Sequence, residues 1–225
     1  MLIIGHRGAA GEKPENTLAA IKHAISCGAD AVEFDVRLTK DGHVVLAHDF
    51  HLYRTHRKFD LVRNKTLAEL KKITAGSDYP ILTLEKVLQV CSDNIFTIIE
   101  VKDRDCGKAV LETITRSYKH MLDYTIITSF SSRELSRVRS LNKKVKLGML
   151  MRLNPFAFLA WERKLHLSAV GFHRLHLNKL AVQAAHQLDM FVYVYTVNRK
   201  GSLPHLKKQE VDGVITDFPA KFLSS

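Results

Sequence analysis

Ala31-Val-Glu-Phe-Asp-Val-Arg-Leu-Thr-Lys-Asp-Gly-His-Val-Val-Leu-Ala-His-Asp49 is the stretch on which the reading of this chain turns. Successive side chains of a strand point to opposite faces, so Glu33 and Asp35 share one face while Val32, Phe34 and Val36 take the other. Two carboxylates side by side repel, and burying them unpaired is costly. A hard divalent cation relieves that repulsion, because Mg²⁺ and Ca²⁺ favour carboxylate oxygens. Asp41-Gly42 is a hairpin signal, and the apolar run Val44-Val45-Leu46-Ala47 then carries His48 back toward the acidic pair. From these residues alone two readings stand. One is a metal pair with a returning histidine, as hydrolytic chemistry uses, and the other is a strand with a solvated acidic face.

Working outward, the stretch is one beat of a regular rhythm. A short apolar strand, Leu2-Ile-Ile-Gly5, precedes it, followed by a helix over 18–27 that Thr17 caps and Gly28 ends. A polar, basic insertion (about 50–82) follows, carrying a helical piece at 67–73, and a helix at 84–90 comes after it. Strands are expected at 96–102, 125–129, 145–149, 169–172, 191–196 and 213–216. Helices are expected between them at 110–118, 132–141, 157–165, 179–188 and 203–209. Eight strands, each but the last followed by a helical segment, predict parallel pairing and closure into an α/β (βα)8 TIM barrel. The whole of 1–225 is expected to be a single domain.

Composition sets bounds on the rest. An apolar fraction of 46% with 25% charged residues describes an ordinary globular protein. Phe156-Ala-Phe-Leu-Ala-Trp161 is too short to cross a bilayer. No leader-like segment precedes the first strand, and Cys27, Cys91 and Cys106 have no CxxC spacing, so a cytoplasmic, reducing location is expected. The net charge of +11 is compatible with nucleic acid, an anionic membrane surface or small anionic substrates. The basic residues are scattered and no nucleic-acid-binding pattern accompanies them, so no nucleic-acid partner is expected. No obligate protein partner is evident either.

Barrel enzymes place their chemistry at the C-terminal ends of the strands. His6-Arg7, Glu33 and Asp35, and Glu100 and Lys102 all fall at such ends. Three carboxylates, two cationic side chains and two histidines converging there have the parts for metal-assisted attack on a phosphate ester. Arg7 is a bidentate fork and Lys102 a point charge for phosphoryl oxygens. His6 and His48 can exchange protons near neutral pH.

The motifs His6-Arg7-Gly8-Ala9, Pro14-Glu-Asn-Thr17, Gly28-Ala-Asp30, Glu33-Phe-Asp35-Val36, Thr39-Lys-Asp-Gly42, His48-Asp49, Glu100-Val-Lys102, Thr196-Val-Asn198 and Asp212-Gly-Val-Ile-Thr-Asp-Phe-Pro219 run from the first strand to the last. Together and in this order they resemble the glycerophosphodiester phosphodiesterases, a (βα)8 family. The resemblance implies hydrolysis of small-molecule glycerophosphodiesters to an alcohol and sn-glycerol 3-phosphate, with one divalent cation, Mg²⁺ or Ca²⁺. It implies Glu33, Asp35 and Glu100 as metal ligands and His6 and His48 as the acid–base pair. Arg7 and Lys102 would bind the phosphate, and Glu15 and Asn16 would shape the first loop on the substrate side. In the family the glycerol 2-hydroxyl is held to attack first, giving a cyclic phosphate that water opens. The family's tryptophan before Thr-Val-Asn is Tyr195 here, and the insertion after the second strand is compact.

Other residues carry paired readings. Phe172 and Tyr195, at strand ends, are expected to wall the pocket. His48-Asp49 in isolation is a turn; with its companions it is a catalytic pair. His173-x-x-His176 lacks a third ligand nearby and is expected to be solvated or core. Glu12, Asp30 and Asp41 read as loop or turn residues, and Asp217 as a turn, cap or substrate contact. The stretch 149–161 is either an outer barrel helix or a lipid-docking segment, the latter allowing a peripheral membrane contact. A lysophospholipase D of the same fold is the enzymatic alternative. The rivals from other classes are a catalytically silent barrel that binds phosphorylated ligands and a basic RNA-binding module.

Overall fold

The computed structural model describes residues 1–91 and 95–224. Nine strands form one sheet: β1 (Leu2–Gly5), β2 (Ala31–Leu38), β3 (Val44–Leu46), β4 (Phe96–Val101), β5 (Thr125–Ser129), β6 (Lys146–Met151), β7 (Ala169–His173), β8 (Phe191–Tyr195) and β9 (Gly213–Thr216). Eight of them pair in parallel, and β1 pairs with both β9 and β2, which closes the barrel. The exception is β3, which returns antiparallel along β2 through the expected Asp41-Gly42 turn, where Gly42 takes φ +84°.

Ten helices complete the fold among the described residues: α1 (Leu18–Ser26), α2 (Tyr53–His56), α3 (Leu67–Thr74), α4 (Leu84–Cys91), α5 (Cys106–Ser117), α6 (Ser132–Leu141), α7 (Leu159–Leu165), α8 (Lys179–His186), α9 (Leu203–Lys208) and α10 (Pro219–Leu223). Their starts carry the side chains that helix N-termini need. Thr17 accepts from the Ala20 N–H, Thr66 forms a capping box with Glu69, and Asn178 accepts from the Leu180 and Ala181 N–H groups. The last strand is also followed by a helix, α10, which corrects the expectation that it ends the pattern. Pro219 opens that helix, where a missing N–H costs nothing.

Strand parity sorts the core into two layers. Val32, Phe34, Val36, Ile99, Val101, Val170, Phe172, Val192 and Val194 face the helices in the main cluster. Ile4, Ala31, Ile98, Leu150, Ala169, Tyr193 and Ile215 fill the barrel interior. Gly171 leaves room for the Tyr193 ring, since a Cβ there would lie 2.5 Å from it. Val45, Leu52, Val62 and Leu70 make a small third cluster that anchors the insertion to the barrel. The 149–161 stretch divides between its two readings: Phe158 is buried and Trp161 packs on the core, while Leu153, Phe156 and Leu159 are exposed. Among the described residues, no helix is long and apolar enough to cross a membrane.

Candidate active site

The site is built on the parallel pairing of β2 with β4, which sets Asp35 directly beside Glu100. Glu33 stands two residues earlier on the same inward face. One oxygen from each of Glu33, Asp35 and Glu100 lies within 4.8 Å of the others, and all three side chains are buried. The Lys102 Nζ sits between two of them, 2.9 Å from Asp35 Oδ1 and 2.5 Å from Glu100 Oε1. Burial, together with the Asp35 charge, raises Glu33 to about 6 and Glu100 to about 8. Burial works the same way on Asp35, but Lys102 and Arg7 outweigh it and hold that carboxyl well below its usual range. The surrounding protein therefore compensates Asp35 but does not fully compensate the charge of all three acids ionised together. Three buried oxygen donors at this spacing fit a hard divalent cation.

The first loop supplies the next layer of contacts. Arg7 and Asn16 both adopt positive φ, +49° and +55°, a region that non-glycine residues occupy at a cost. This conformation aims the Arg7 N–H at Glu33 Oε2 (3.0 Å) and brings Arg7 Nε to 3.1 Å from Asp35 Oδ2. The Nε approach is an ion pair without hydrogen-bond alignment. Asn16 clamps Asp35 reciprocally: its Nδ2 donates to Oδ2 (3.1 Å) and its Oδ1 accepts from the Asp35 N–H (3.2 Å). Glu15 accepts from Arg7 Nη1 at 2.9 Å and from both terminal nitrogens of Arg54, at 2.9 and 2.5 Å. Glu15 therefore ties the first loop to the insertion.

Both histidines stand at this mouth, each with an aspartate on Nδ1. His6 Nδ1 is 2.5 Å from Asp217 Oδ1, while its Nε2 lies 4.0 Å from Glu33. Asn198 holds Asp217 in turn, donating from Nδ2 at 2.5 Å and accepting the Asp217 N–H at 2.9 Å. His48 Nδ1 is 2.8 Å from Asp49 Oδ1, and Arg54 Nε donates to the other Asp49 oxygen at 2.6 Å. Arg37 donates twice to the His48 carbonyl and is itself paired with Asp103. Burial lowers the His6 pKa, but the Asp217 hydrogen bond and the Glu33 charge reverse that and leave it raised. Burial lowers His48, with Arg7 and Lys102 adding to the effect against Asp35. In both dyads the Nδ1 is occupied, so Nε2 is the atom free to exchange a proton.

Tyr195 stands on the inward face of β8. Its hydroxyl donates to the Met151 carbonyl (2.8 Å), and its ring meets Phe130 and His173 edge-on at 6.1 and 5.8 Å. Phe172 does not wall the pocket. It is fully buried on the opposite face of β7, its ring against Phe158 at 6.2 Å, because it shares parity with Val170. The mouth-facing residue of β7 is its neighbour His173, which pairs with His176 at 5.7 Å. That pair joins no group of metal-ligating side chains among the described residues. The structure thus brings His6, Arg7, Glu15, Asn16, Glu33, Asp35, His48, Glu100, Lys102 and Tyr195 to one mouth. To these it adds Arg54 and Asn198, which the sequence reading did not place in the site, and it makes Asp49 and Asp217, read there as half of a catalytic pair and as a turn, cap or substrate contact, the partners of the two imidazoles. Asp49 and Asp217 each belong to a quoted motif, so the signal for both was present.

Residues 6–221 match the model of the glycerophosphoryl diester phosphodiesterase family. A glycerophosphodiester phosphodiesterase of Caldanaerobacter subterraneus is 32% identical over 99% of this chain and 96% of its own length. One from Bacillus subtilis is 30% identical over 99% of this chain and 85% of its own. Among solved structures, an Oleispira antarctica phosphodiesterase in complex with the product sn-glycerol-3-phosphate superposes with a TM-score of 0.90. It is 27% identical and covers 99% of this chain and 95% of that one. A Thermotoga maritima glycerophosphodiester phosphodiesterase gives 0.85 at 31% identity, covering 99% and 97%.

Proposed function

The chain belongs to the glycerophosphoryl diester phosphodiesterase family, and we propose that it hydrolyses glycerophosphodiesters to sn-glycerol 3-phosphate and an alcohol, with one divalent cation held by Glu33, Asp35 and Glu100. The observation that carries this reading is the meeting of those three buried carboxylates with two histidine–aspartate dyads at one barrel mouth. Mg²⁺ and Ca²⁺ both suit a set of oxygen donors. When bound, the ion supplies neutralisation of the phosphate oxygens and lowers the pKa of an oxygen nucleophile. We place the activity in the cytoplasm, on the strength of three free cysteines, and in a single domain, on the strength of one closed sheet to which all nine strands belong.

The geometry supports the following roles for the protein's own side chains. Arg7, drawn toward the acidic trio by its backbone bond to Glu33, and Lys102, between Asp35 and Glu100, supply positive charge for the phosphoryl oxygens. The attacking oxygen, the glycerol 2-hydroxyl or a water, gives its proton to Nε2 of one imidazole. Nε2 of the other returns a proton to the departing alcohol as its bond to phosphorus breaks; where the 2-hydroxyl attacks, a water then opens the cyclic phosphate to glycerol 3-phosphate with the two proton roles reversed. Asp217 and Asp49 hold the two rings in the tautomer this exchange needs. Asn16, with both ends of its amide committed to Asp35, positions that carboxylate. Tyr195 forms an aromatic wall beside the alcohol. The relatives cited above are phosphodiesterases by name, and the lysophospholipase D alternative is not favoured.

Calorimetric cation titration run beside glycerol 3-phosphate release tests the proposal. Glu33→Ala loses both cation binding and turnover. His48→Ala keeps the cation and loses about 10²–10⁴-fold in rate. Full activity of either variant, or of the wild type in chelator, contradicts the assignment.

A further inference from the structure

The face around the mouth is as unusual as the mouth itself. Phe50, Phe59, Leu153, Leu175 and Leu180 are each at least 60% exposed, whereas no other large apolar side chain among the described residues exceeds 54%. All five lie on connections that follow the C-terminal strand ends, or in the first turn of the helix beyond. Phe50 and Phe59 are in the insertion, Leu153 is between β6 and α7, Leu175 is between β7 and α8, and Leu180 opens α8. Isolated exposed apolar residues need no explanation, but concentration of the most exposed ones on one face marks an interaction surface.

In the segments that carry these tips, cations outnumber acids. Residues 50–59, 152–161 and 174–188 contain no aspartate or glutamate, and they interleave Arg57, Lys58, Arg152, Arg174 and Lys179 with the apolar tips, while Arg54 is taken up by Glu15 and Asp49. Two of these cations lie over aromatic rings, Arg57 over Tyr53 at 5.6 Å and Arg152 over Phe130 at 5.3 Å. Phe130 in turn meets Tyr195, so the basic, apolar rim is continuous with the wall of the site. Apolar tips beside cations, on a chain of net charge +11, complement the headgroup region of an anionic bilayer.

We propose that the C-terminal face of the barrel docks on an anionic phospholipid surface, with the five apolar tips entering the headgroup layer and the interleaved cations meeting lipid phosphates. The proposal rests on the phosphodiesterase reading only for its consequence, that the mouth opens toward the membrane where glycerol-based phosphodiesters arise. Docking itself is measured without turnover.

The test is co-sedimentation of the full chain with phosphatidylglycerol–phosphatidylcholine vesicles and with pure phosphatidylcholine vesicles. The wild type is expected to bind the anionic vesicles, and salt to weaken that binding. The triple variant Phe59→Ser, Leu153→Ser, Leu175→Ser keeps every charge, and burial of each lost side chain is worth roughly tenfold. Its binding is expected to fall about a hundredfold or more while its hydrolysis of soluble glycerophosphocholine is unchanged. Equal binding by the variant would mean that net charge alone draws the chain to lipid and would overturn the docking face. Absence of wild-type binding would overturn it too. So would a concentration-dependent dimer that the triple variant dissociates, which would assign the face to a second copy. Loss of glycerophosphocholine turnover in the wild type would count against the phosphodiesterase reading alone.

Discussion

Replacing Asp217 by Asn isolates the contribution of the carboxylate that holds the His6 ring. His6 Nδ1 and Asp217 Oδ1 are 2.5 Å apart, with the two side chains only 19% and 23% exposed, so the bond operates largely away from water. A hydrogen bond to a charged partner is worth about 1.5–3 kcal/mol, equivalent to about 10- to 150-fold in rate. Asn presents an amide donor as readily as an acceptor and so favours the wrong imidazole tautomer, which moves the loss toward about 10²-fold. Asn198, which donates to Asp217 at 2.5 Å, keeps the substituted side chain in place. The assay is steady-state glycerol 3-phosphate release from glycerophosphocholine at saturating cation, beside calorimetric cation titration. The expected result is a fall of about 10²-fold in kcat, with KM and cation affinity little changed. An unchanged kcat, or a loss carried by KM or by cation affinity, would refute the positioning role.

Three further substitutions probe the frame. Lys102→Met removes the ammonium between Asp35 and Glu100, and leaving buried charge unpaired costs about 3–5 kcal/mol. In calorimetric melts the variant should lose stability without divalent cation and recover most of it when cation is added; a variant indifferent to cation would argue against the three-carboxylate site. Phe172→Ala should cost about 3–5 kcal/mol in denaturant unfolding while leaving kcat/KM of the folded protein intact. The reverse pattern would return Phe172 to the pocket wall. Glu134→Ala deprives the Asp105 and Gly107 N–H groups, at the start of α5, of their shared acceptor. It should lower stability by about 1–3 kcal/mol without touching the cation site, and an unchanged unfolding midpoint would refute that accounting.

The barrel was legible because local signals and the global fold agree along most of the chain. Strands at 125–129 and 213–216 and the helix at 132–141 lie where hydrophobic pattern and caps put them. Within each strand two-residue alternation sets Glu33 beside Asp35 and Glu100 beside Lys102, and the meeting of the three acids came from their shared place at the strand ends and from the family resemblance. Phe172 was misplaced because its position at a strand end was weighed without its parity. The small residues Ala169 and Gly171 on the other face carried that information, since the inward face of β7 is the one where Gly171 makes room for the Tyr193 ring. Asp217 could not be assigned from local sequence, because its partner lies 211 positions away and meets it only when β9 closes against β1. Arg54 sits on a four-residue helix in an insertion without periodicity, and its bridge between Glu15 and Asp49 depends on tertiary docking.

The measurement that bears most directly on the account is phosphorus NMR of glycerophosphocholine incubated with the purified chain, with Mg²⁺, with Ca²⁺ and with chelator. The account predicts conversion to a single monoester signal, that of sn-glycerol 3-phosphate, in the presence of at least one of the two cations and none in chelator. Conversion that persists in chelator, or a phosphocholine signal in place of glycerol 3-phosphate, would contradict it.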